Sequence, residues 1–495
     1  MTPVNRFVTD EMENLSNKPV DPAAEKYRQE RMAYWERLAQ QQDTSKSLGG
    51  YYHQRLSEIY QKLIPPGQKV IELGSGQGDL LASLRPSYGV GVDFSPEMIR
   101  RGKRIHPELT FIQADVHSIP LEQSFDFIIL SDLLNDAWDV QKIFEQASLL
   151  ASPKARLVIN TYSRLWEGPL GIARRMGLAR SVLQLNWLTV EDILNLGHLA
   201  NFEPICHWQE ILWPLGTVLV SPICNKFLVK LWPINHLGLT NFIVLRAKQE
   251  STISPDHASV SVIIPARNEE GNISDIFTRT PAMGRRTELI FIEGHSADHT
   301  YQEIEKRMAQ YPQRPCKLLK QTGVGKGDAI RLGFSEASGE VMIILDADLT
   351  VPPEDLSRFY TALCEGKGDF INGVRLVYPM EKQAMRSVNF IGNKFFSLAF
   401  SWILRQPIKD TLCGTKALWR EDYQRIAAGR SYFGDFDPFG DFDLIFGATR
   451  LSLKIVDLPI RYRERKYGTT NIQRWKHGWL LMKMLLFAAL RLKFV

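Results

Sequence analysis

Short apolar runs recur between residues 65 and 248, and a helical or turn-rich stretch separates each from the next. The runs are KVIEL, YGVGVDF, LTFIQAD, FDFIIL, ARLVINTY and finally NFIVLRAK at 241–248. Apolar strands that alternate with helices are typical of a parallel sheet covered by helices. Before residue 65, the helical spacing of apolar residues in AAEKYRQERMAYWERLAQQ and again over Ser47–Ile64 predicts helices.

The same alternation starts again after residue 258, in VSVIIPA, ELIFIEG, EVMIILDAD and DFINGV. Between the two series lies QESTISPDHAS, a polar stretch without periodicity that contains Pro255. Such a composition is typical of a linker. The pattern predicts two open α/β domains: residues 1–248 with a helical N-terminal extension, a linker at 249–258, and residues 259–495.

Composition agrees with two cores and favours the cytoplasm. The chain has 495 residues, of which 44% are hydrophobic and 23% charged, enough apolar material for at least two domains. Its five cysteines show neither a Cys-x-x-Cys pair nor zinc-like spacing, so we expect no disulfide framework. The first residues lack the plan of a secretion signal, and no stretch reaches the roughly 18 apolar residues of a membrane-spanning helix.

Positive charge is concentrated at the C-terminus. The formal net charge is +5, yet Arg461–Val495 holds nine Lys or Arg residues against the single Glu464. In the last part of this segment, aromatic and aliphatic residues are interleaved with the basic ones, which suits a helix at a membrane interface. The alternative is a helix that packs on its own domain, with the basic residues on a solvated face.

A glycine-rich turn follows the first predicted strand. IELGSGQGDLL places Gly74, Gly76 and Gly78 between a strand and a helix, where the backbone can turn tightly and approach a ligand. A dinucleotide fingerprint would need a glycine at Asp79, so the spacing argues against that cofactor. The pattern from Glu72 to Gly78 instead resembles the first motif of class I S-adenosylmethionine-dependent methyltransferases, which have a Rossmann-like fold.

The resemblance implies S-adenosylmethionine as cofactor and further binding residues. Asp93, in GVGVDFSPEMI, matches the position that binds the ribose hydroxyls, and Asp115 and Val116 match the adenine contacts. Asp132 matches the family's fourth motif and, with Asn135, would face the methyl acceptor. The alternative is that Asp93 and Asp115 only cap the helices that follow them.

The methyl acceptor stays open at this stage. The chain lacks the Asn/Asp-Pro-Pro-Tyr run and the Pro-Cys pair of nucleic-acid methyltransferases, so nucleic acid is not expected. In-line methyl transfer depends mainly on alignment of the two partners and does not require a base. His117 is one candidate base, although a single histidine beside a strand end is more often a surface or hydrogen-bonded residue.

The second domain opens on VSVIIPARNEEGNI, in which Pro265, Asn268 and Glu269 match the nucleotide-binding start of family-2 glycosyltransferases. That resemblance implies the GT-A fold and a nucleotide-sugar donor. In EVMIILDAD the apolar strand runs directly into Asp346 and Asp348, two carboxylates within reach of one hard cation. Mg²⁺ or Mn²⁺ at this site would stabilise the donor diphosphate as the glycosidic bond breaks.

Two further motifs support the resemblance, and one departs from it. GVGKGDAIRLGF places Lys326 to meet phosphate, and IKDTLCGTKALWRE matches the family's Asp-x-x-x-Gly turn at Asp410 and Gly414. Family members usually show Asp-Asp-Gly-Ser-x-Asp after the second strand, whereas this chain has EGHSAD from Glu293. Glu293 can still accept a hydrogen bond from a base or ribose, but the nucleobase is left undecided.

A cluster of acidic residues supplies candidates for acid–base chemistry. FGDFDPFGDFDLIFGA contains four aspartates, and Asp441 and Asp443 match the place where inverting relatives keep an acidic residue. With a hydroxyl acceptor, one of the two would be the general base. A lipid phosphate is already ionised and needs no base, in which case these carboxylates would hold metal or structure.

The C-terminal tail favours the lipid phosphate. It resembles the corresponding region of dolichyl- or polyprenyl-phosphate sugar transferases, which implies that Arg465 and Lys466 meet the acceptor phosphate. We therefore expect a bifunctional enzyme of lipid-linked glycan synthesis, peripheral at the inner face of a membrane. Two alternatives stay open: a first domain that binds S-adenosylmethionine without turnover, and a glycosyltransferase with a soluble acceptor.

Overall fold

A computed structural model of the protein describes residues 22–41, 50–176, 183–248, 257–375, 377, 387–432, 440, 442–465, 467 and 474–494. Within these ranges the chain forms two seven-stranded sheets covered by helices. The two-sheet α/β architecture predicted from the apolar runs is confirmed. Residues 249–256 of the predicted linker lie outside the described residues, and the domain boundaries stay predictions.

The first sheet has the strand order β3-β2-β1-β4-β5-β7-β6. Strands β1 to β5 are parallel, and β7 lies antiparallel between β5 and β6. The strand bounds are β1 Lys69–Leu73, β2 Tyr88–Asp93, β3 Thr110–Gln113, β4 Phe125–Ser131, β5 Ala151–Tyr162, β6 Phe202–Glu210 and β7 Thr240–Ala247. The six predicted strands are all present, whereas β6 was not predicted.

The second sheet has the order β10-β9-β8-β11-β13-β12-β14, in which β13 is antiparallel to its two neighbours. The strand bounds are β8 Val260–Ala266, β9 Thr287–Glu293, β10 Cys316–Lys320, β11 Val341–Ile344, β12 Phe370–Val374, β13 Lys416–Trp419 and β14 Ile455–Pro459. Its central strands are buried on both faces, which explains why their sequences are continuous apolar runs.

Helices cover both sheets. Their bounds are α1 Pro22–Gln41, α2 Gly50–Leu63, α3 Asp79–Ser83, α4 Pro96–Ile105, α5 Val140–Leu149, α6 Glu167–Arg175, α7 Val190–Leu199, α8 Glu270–Arg279, α9 Thr300–Gln310, α10 Lys326–Ser335, α11 Leu356–Cys364, α12 Ser387–Leu404, α13 Arg420–Ala428, α14 Phe442–Arg450 and α15 Arg474–Ala488. Among the described residues, no helix is both long enough and apolar enough to span a membrane.

Between β6 and β7 the chain makes an irregular excursion over residues 211–239, which we call the β6–β7 insertion. It consists of short helical turns, with bounds Val220–Pro222, Ile223–Phe227, Leu228–Lys230 and Ile234–Leu237. Several of its apolar side chains are exposed, most strongly Val218 at 85% and Trp232 at 78%.

Buried ion pairs join the two halves of the chain. Asp369, just before β12, accepts hydrogen bonds from Arg156 Nη2 at 2.7 Å and Arg246 Nη1 at 2.9 Å, and all three side chains are buried. Lys454, just before β14, pairs with Glu203 of the first sheet. Because these residues precede their strands, the first half contacts the amino edge of the second sheet.

In both sheets the order of neighbouring strands reverses at a central strand, β1 in the first and β8 in the second. At such a point the connections on either side leave in opposite directions and open a crevice at the carboxyl ends of the strands. The residues singled out from the sequence follow these strand ends.

Candidate active sites

The glycine turn after β1 adopts a backbone that only glycine takes without strain. Gly74, Gly76 and Gly78 have φ angles of 73°, 53° and 85°. A Cβ at Gly78 would lie 2.6 Å from the Phe111 ring, and one at Gly74 would lie 2.9 Å from Leu133. A Cβ at Gly76 would meet none of the described atoms within 4 Å, so the turn leaves open space there.

Two carboxylates lie beside this turn. Asp93, at the end of β2, accepts hydrogen bonds from the Gly76 N–H at 2.9 Å and the Ser95 N–H at 2.8 Å. Glu72, on β1, is 3% exposed, and its Oε2 has no hydrogen-bond partner among the described residues. Burial raises the pKa of Glu72 to about 8. A buried carboxylate oxygen without a partner is unfavourable, so Oε2 favours a ligand that donates to it.

After β3, hydrogen bonds and burial fix Asp115 and Val116, the two residues that match adenine contacts. Asp115 accepts from the His117 N–H at 2.9 Å and from His117 Nδ1 at 2.6 Å, and Val116 is buried. Burial by itself would raise the pKa of Asp115, but the hydrogen bonds from His117 outweigh it and lower the pKa. The other ring nitrogen of His117 accepts from the Asp139 N–H at 3.2 Å. With both nitrogens engaged, His117 holds this loop and is not available as a base.

Asp132 follows β4 with a left-handed φ of 54°. Both of its carboxylate oxygens lie 3.0 Å from the Tyr52 hydroxyl, and Oδ1 also accepts from Asn160 Nδ2 at 2.6 Å. Tyr60 extends this network by donating to Asn160 Oδ1 at 2.8 Å. Burial raises the pKa of Asp132 to about 7. The tyrosines come from α2, which the sequence marked only as a helix.

Asn135, predicted to face the acceptor with Asp132, makes three hydrogen bonds within the protein. Its Oδ1 accepts from the Thr161 hydroxyl at 2.8 Å and the Tyr162 N–H at 3.1 Å, and its Nδ2 donates to the Asn186 carbonyl at 2.8 Å. The side chain is 1% exposed, so these hydrogen bonds tie β5 to the segment around Asn186. That Asn135 faces the methyl acceptor stays a prediction.

In the second half, Asp346 follows β11 and pairs with Lys326, the first residue of α10, over 2.7 Å. Burial by itself would raise the pKa of Asp346, but Lys326 outweighs it and lowers the pKa. A Cβ at Gly414 would fall 2.1 Å from Asp346 Oδ2. The Asp-x-x-x-Gly turn thus needs glycine because its backbone lies directly against this carboxylate.

Asp348 and Glu269 both contact the guanidinium of Arg465. Arg465 donates to Asp348 Oδ2 at 2.6 Å and lies 3.4 Å from Glu269 Oε1. Asp348 also accepts from the N–H and hydroxyl of Thr350. Burial raises the pKa of Glu269 to about 7, and Arg465 opposes that rise. Three motifs that are far apart in the sequence therefore meet at one sheet edge.

The loops after β8 and β9 bind each other. Asn268, with a left-handed φ of 57°, accepts from the Ala297 N–H at 2.7 Å, and its own N–H donates to Ser296 Oγ at 3.0 Å. Glu293 accepts from the Ser296 N–H at 2.6 Å, and Pro265 lies in β8 opposite Ile292. In this chain Glu293 supports the loop that replaces the usual Asp-Asp pair.

The remaining acidic candidates are paired with arginine. Asp410 makes a two-pronged contact with Arg375, at 2.7 and 2.9 Å, which fixes the turn after β12. Asp443, at the start of α14, pairs with Arg430 over 2.8 Å. Asp441 and Lys466 lie outside the described residues.

The residues present fit the groups that the resemblances imply. In the first site, the open space at Gly76 and the Glu72 Oε2 atom, which has no partner among the described residues, suit the cationic, hydrogen-bonding end of S-adenosylmethionine. In the second, Asp346 and Asp348 offer hard oxygen ligands. Within the described ranges, no group of three or more metal-ligating side chains occurs, so a cation here would need donor phosphates to complete its ligands.

In both halves of the chain, the candidate site residues lie at the carboxyl ends of the strands of an α/β sheet. Residues 64–190 match the family model described as a methyltransferase domain, and residues 261–426 match glycosyl transferase family 2. The chain therefore carries a methyltransferase domain and a family-2 glycosyltransferase domain, as the sequence predicted.

Curated relatives match the second half. A dolichol-phosphate mannosyltransferase of Pyrococcus furiosus is 34% identical over 120 residues, covering 24% of this chain and 33% of the relative. An undecaprenyl-phosphate 4-deoxy-4-formamido-L-arabinose transferase of Pectobacterium carotovorum is 24% identical over 220 residues, covering 44% and 63%. The chain thus spans about a third of the length of the first relative and less than two thirds of the second.

Solved structures match the first half. An S-adenosylmethionine-dependent methyltransferase from Mesorhizobium loti superposes with a TM-score of 0.31 at 20% identity, covering 40% of this chain and 100% of that protein.

Proposed function

We propose that the second half transfers a sugar from a nucleotide-sugar donor to a lipid-linked phosphate of the polyprenyl type. The observation that carries this proposal is the meeting of Asp346, Asp348, Lys326 and Arg465 at one strand edge. Two carboxylates and two cations in contact are suited to a divalent cation and a diphosphate together. The relatives named for dolichol phosphate and undecaprenyl phosphate support the acceptor class.

Each residue has a separate task in this mechanism. Asp346 and Asp348 would hold Mg²⁺ or Mn²⁺, which supplies neutralisation of the charge that develops on the leaving diphosphate. Lys326, at a helix N-terminus, would meet the donor phosphates. Arg465, released from Asp348 when a cation binds there, would meet the acceptor phosphate, together with Lys466. Since a lipid phosphate is already ionised, Asp443 would keep its pairing with Arg430 and Asp441 would not be required as a base.

The first half, on this proposal, transfers a methyl group from S-adenosylmethionine to a sugar, a glycolipid or a related small molecule. Glu72, Gly74, Gly76, Gly78 and Asp93 would hold the amino-acid and ribose parts of the cofactor. Asp115 and Val116 would contact adenine, and Asp132 would border the acceptor. The fusion would keep the two activities together at the inner face of a membrane, with α15 in contact with the lipid surface.

A transfer assay tests the proposed glycosyltransferase reaction. Purified protein, Mg²⁺ or Mn²⁺ and a panel of labelled nucleotide sugars are incubated with a short-chain, water-soluble polyprenyl phosphate and, separately, with free sugars. We expect label on the polyprenyl phosphate with one donor and none without divalent cation. Transfer to free sugars alone would contradict the lipid-phosphate acceptor.

A further inference from the structure

Three exposed apolar stretches lie side by side along one flank of the molecule. On α12, Phe395, Leu398 and Trp402 are exposed and recur every three or four residues. On α15 and the turn after it, Trp479, Met482, Leu486 and Leu490 are exposed in the same way. The third stretch is the β6–β7 insertion of the methyltransferase half, whose Val218, Leu219 and Trp232 are among the most exposed apolar residues.

Direct contacts hold the three stretches together. Phe227 of the insertion stacks on Phe494, which follows α15, with ring centroids 5.7 Å apart. Trp402 of α12 meets the same Phe494 ring edge-on at 5.7 Å, and Lys493 donates to the Trp402 carbonyl at 2.8 Å. Because two of the stretches belong to the glycosyltransferase half and one to the methyltransferase half, the apolar surface crosses the junction between them.

Within the three segments that form this surface, the charged residues are all basic. The chain has 55 acidic residues, yet none falls within 211–240, 387–408 or 474–495. The same segments contain nine Lys or Arg residues, of which Lys226, Lys394, Lys483 and Arg491 are exposed. Apolar and aromatic residues that share their segments with cations and with no carboxylate fit the interface of an anionic lipid bilayer. A surface for a protein partner does not require that these segments lack Asp and Glu, so their absence favours the lipid bilayer.

The insertion also borders the methyl-transfer site. Asn225 Nδ2 lies 3.1 Å from the hydroxyl of Tyr51, the neighbour of Tyr52, and its carbonyl accepts from Arg55 Nη2 at 3.5 Å. At the far end, Trp166 Nε1 donates to the Leu237 carbonyl at 2.9 Å, beside the exposed apolar side chain of Leu165. The insertion therefore packs on α2, the helix that also carries Tyr52 of the Asp132 network.

We propose that the β6–β7 insertion, α12 and α15 form one surface that docks on an anionic lipid bilayer and presents both active sites to membrane-bound substrates. The methyl acceptor would then be a lipid-linked molecule. This acceptor class rests on the proposed glycosyltransferase function, whereas the docking surface itself does not.

Vesicle binding by the full chain tests the docking surface. The variants are Leu219→Glu and Trp232→Glu, and the control is Leu149→Glu, an exposed leucine on α5 that is 76% exposed compared with 72% for Leu219. On phosphatidylglycerol-containing vesicles we expect each insertion variant to lose affinity about tenfold, since a buried apolar contact is replaced by a repelled charge. We expect the control to stay within about twofold of the wild type.

Three results would overturn the docking proposal. The insertion variants could bind as the control does; the wild type could bind neutral phosphatidylcholine vesicles as tightly as anionic ones; or it could form a dimer that Leu219→Glu dissociates, which would assign the surface to self-association. Sugar transfer to the water-soluble polyprenyl phosphate is measured in parallel. If the wild type binds anionic vesicles but transfers no sugar, the proposed function is contradicted and the docking surface is not.

A separate observation concerns methyl transfer itself. Asp132 lies next to Leu133, whose side chain packs on Gly74, so it is held beside the cofactor turn. Three phenols surround it: Tyr52 in direct contact, Tyr60 through Asn160, and Tyr162 within electrostatic range. Within the described residues it forms no ion pair with a basic side chain.

The geometry points to Asp132 as the base that accepts the proton of an acceptor hydroxyl. As the acceptor oxygen bonds to the methyl carbon, the carbon–sulfur bond breaks, its electron pair returns to sulfur, and the hydroxyl proton moves to Asp132. Tyr52 and Asn160 position the carboxylate by donating to it. A pKa of about 7 suits this exchange at neutral pH.

Asp132→Asn tests this assignment, since the amide preserves the shape of the side chain. We expect methyl transfer to fall at least about a hundredfold and to lose its acidic limb near pH 7, while calorimetric binding of S-adenosylmethionine stays within a fewfold of the wild type. An unchanged pH profile in the variant would overturn the base assignment. Equal loss of cofactor binding and of activity would also overturn it, because it would make Asp132 a binding residue.

Discussion

In the methyltransferase half, Glu72 and Asp132 lie against backbone and phenol groups, whereas in the glycosyltransferase half Asp346 and Asp348 each contact a basic side chain. Burial therefore raises the pKa of both carboxyls in the first site, to about 8 and about 7. In the second site Lys326 outweighs burial and lowers the pKa of Asp346.

The difference reflects the charge of the ligand that each site is proposed to receive. A carboxylate buried without a cation is stabilised by a ligand that brings positive charge or donors, as a sulfonium cofactor with an amino group does. Carboxylates already paired with Lys326 and Arg465 can exchange these partners for a metal ion, which leaves both cations available to phosphate groups.

The largest effect is expected when the second site loses a carboxylate. Asp348→Ala removes one of two proposed metal ligands and one of the two carboxylates that Arg465 contacts, so we expect sugar transfer to fall about a thousandfold. The measurement is the transfer assay with saturating Mg²⁺ or Mn²⁺. Calorimetric binding of S-adenosylmethionine should not change. The matched control is Asp355→Ala: Asp355 directly precedes α11, its side chain is 22% exposed, and its salt bridge within the described residues is with Arg358.

Next comes the carboxylate between the halves. Asp369→Ala leaves Arg156 and Arg246 buried without their shared partner, and we expect unfolding free energy to drop by about 3–5 kcal/mol in urea titration. Glu421→Ala, which removes an exposed pair with Lys154 at the same junction, should cost about 0.5 kcal/mol or less. Equal costs for the two variants would show that the buried triad does not join the halves.

Two substitutions in the glycine turn distinguish an effect on stability from an effect on cofactor binding. Gly78→Ala forces a Cβ onto Phe111, so we expect a loss of about 3 kcal/mol in unfolding free energy. Gly76→Ala meets open space and should cost only about 1 kcal/mol of backbone strain. Calorimetry should nevertheless show weaker S-adenosylmethionine binding for Gly76→Ala. Wild-type affinity in that variant would contradict the assignment of the open space to the cofactor.

The last expected effect is a pH dependence of the unfolding free energy. Because the pKa of Glu72 is about 8 when folded and 4.5 ordinarily, the folded state keeps its proton more tightly than the unfolded state. Stability contributed by this group is therefore fully present below pH 4.5 and is lost as pH rises towards 8, by up to about 1.4 kcal/mol per pH unit. Glu72→Gln should abolish that slope in urea titrations between pH 5 and 8. If unfolding free energy falls equally steeply with pH in the variant, another group causes the dependence.

Sequence patterns predicted the buried strands because their apolar runs are continuous. They missed β10 and β14, whose residues are largely half-buried, and β13, which has only four residues. They also did not predict that the apolar residues of the β6–β7 insertion are exposed. These residues have no single period, and their position beside α12 and α15 depends on the fold.

For the sites, the motifs predicted which carboxylates and glycines meet at the strand ends. They did not predict the partners, because pairs such as Arg465 with Asp348 and Tyr52 with Asp132 join residues about 80 to 120 positions apart. The pKa shifts follow from those partners and from burial, so they too depend on the fold. A helix rich in tyrosine, such as α2, carries no motif that marks it as part of an active site.

The link between the two activities is tested most directly by following a labelled methyl group. Full-length protein is incubated with methyl-labelled S-adenosylmethionine and anionic vesicles that contain polyprenyl phosphate, with and without the nucleotide sugar that supports transfer. If the methyl acceptor is the lipid-linked sugar, label enters the lipid extract only when the nucleotide sugar is present, and Asp348→Ala prevents it. Label that appears in water-soluble products regardless of the nucleotide sugar would contradict a shared lipid-linked substrate.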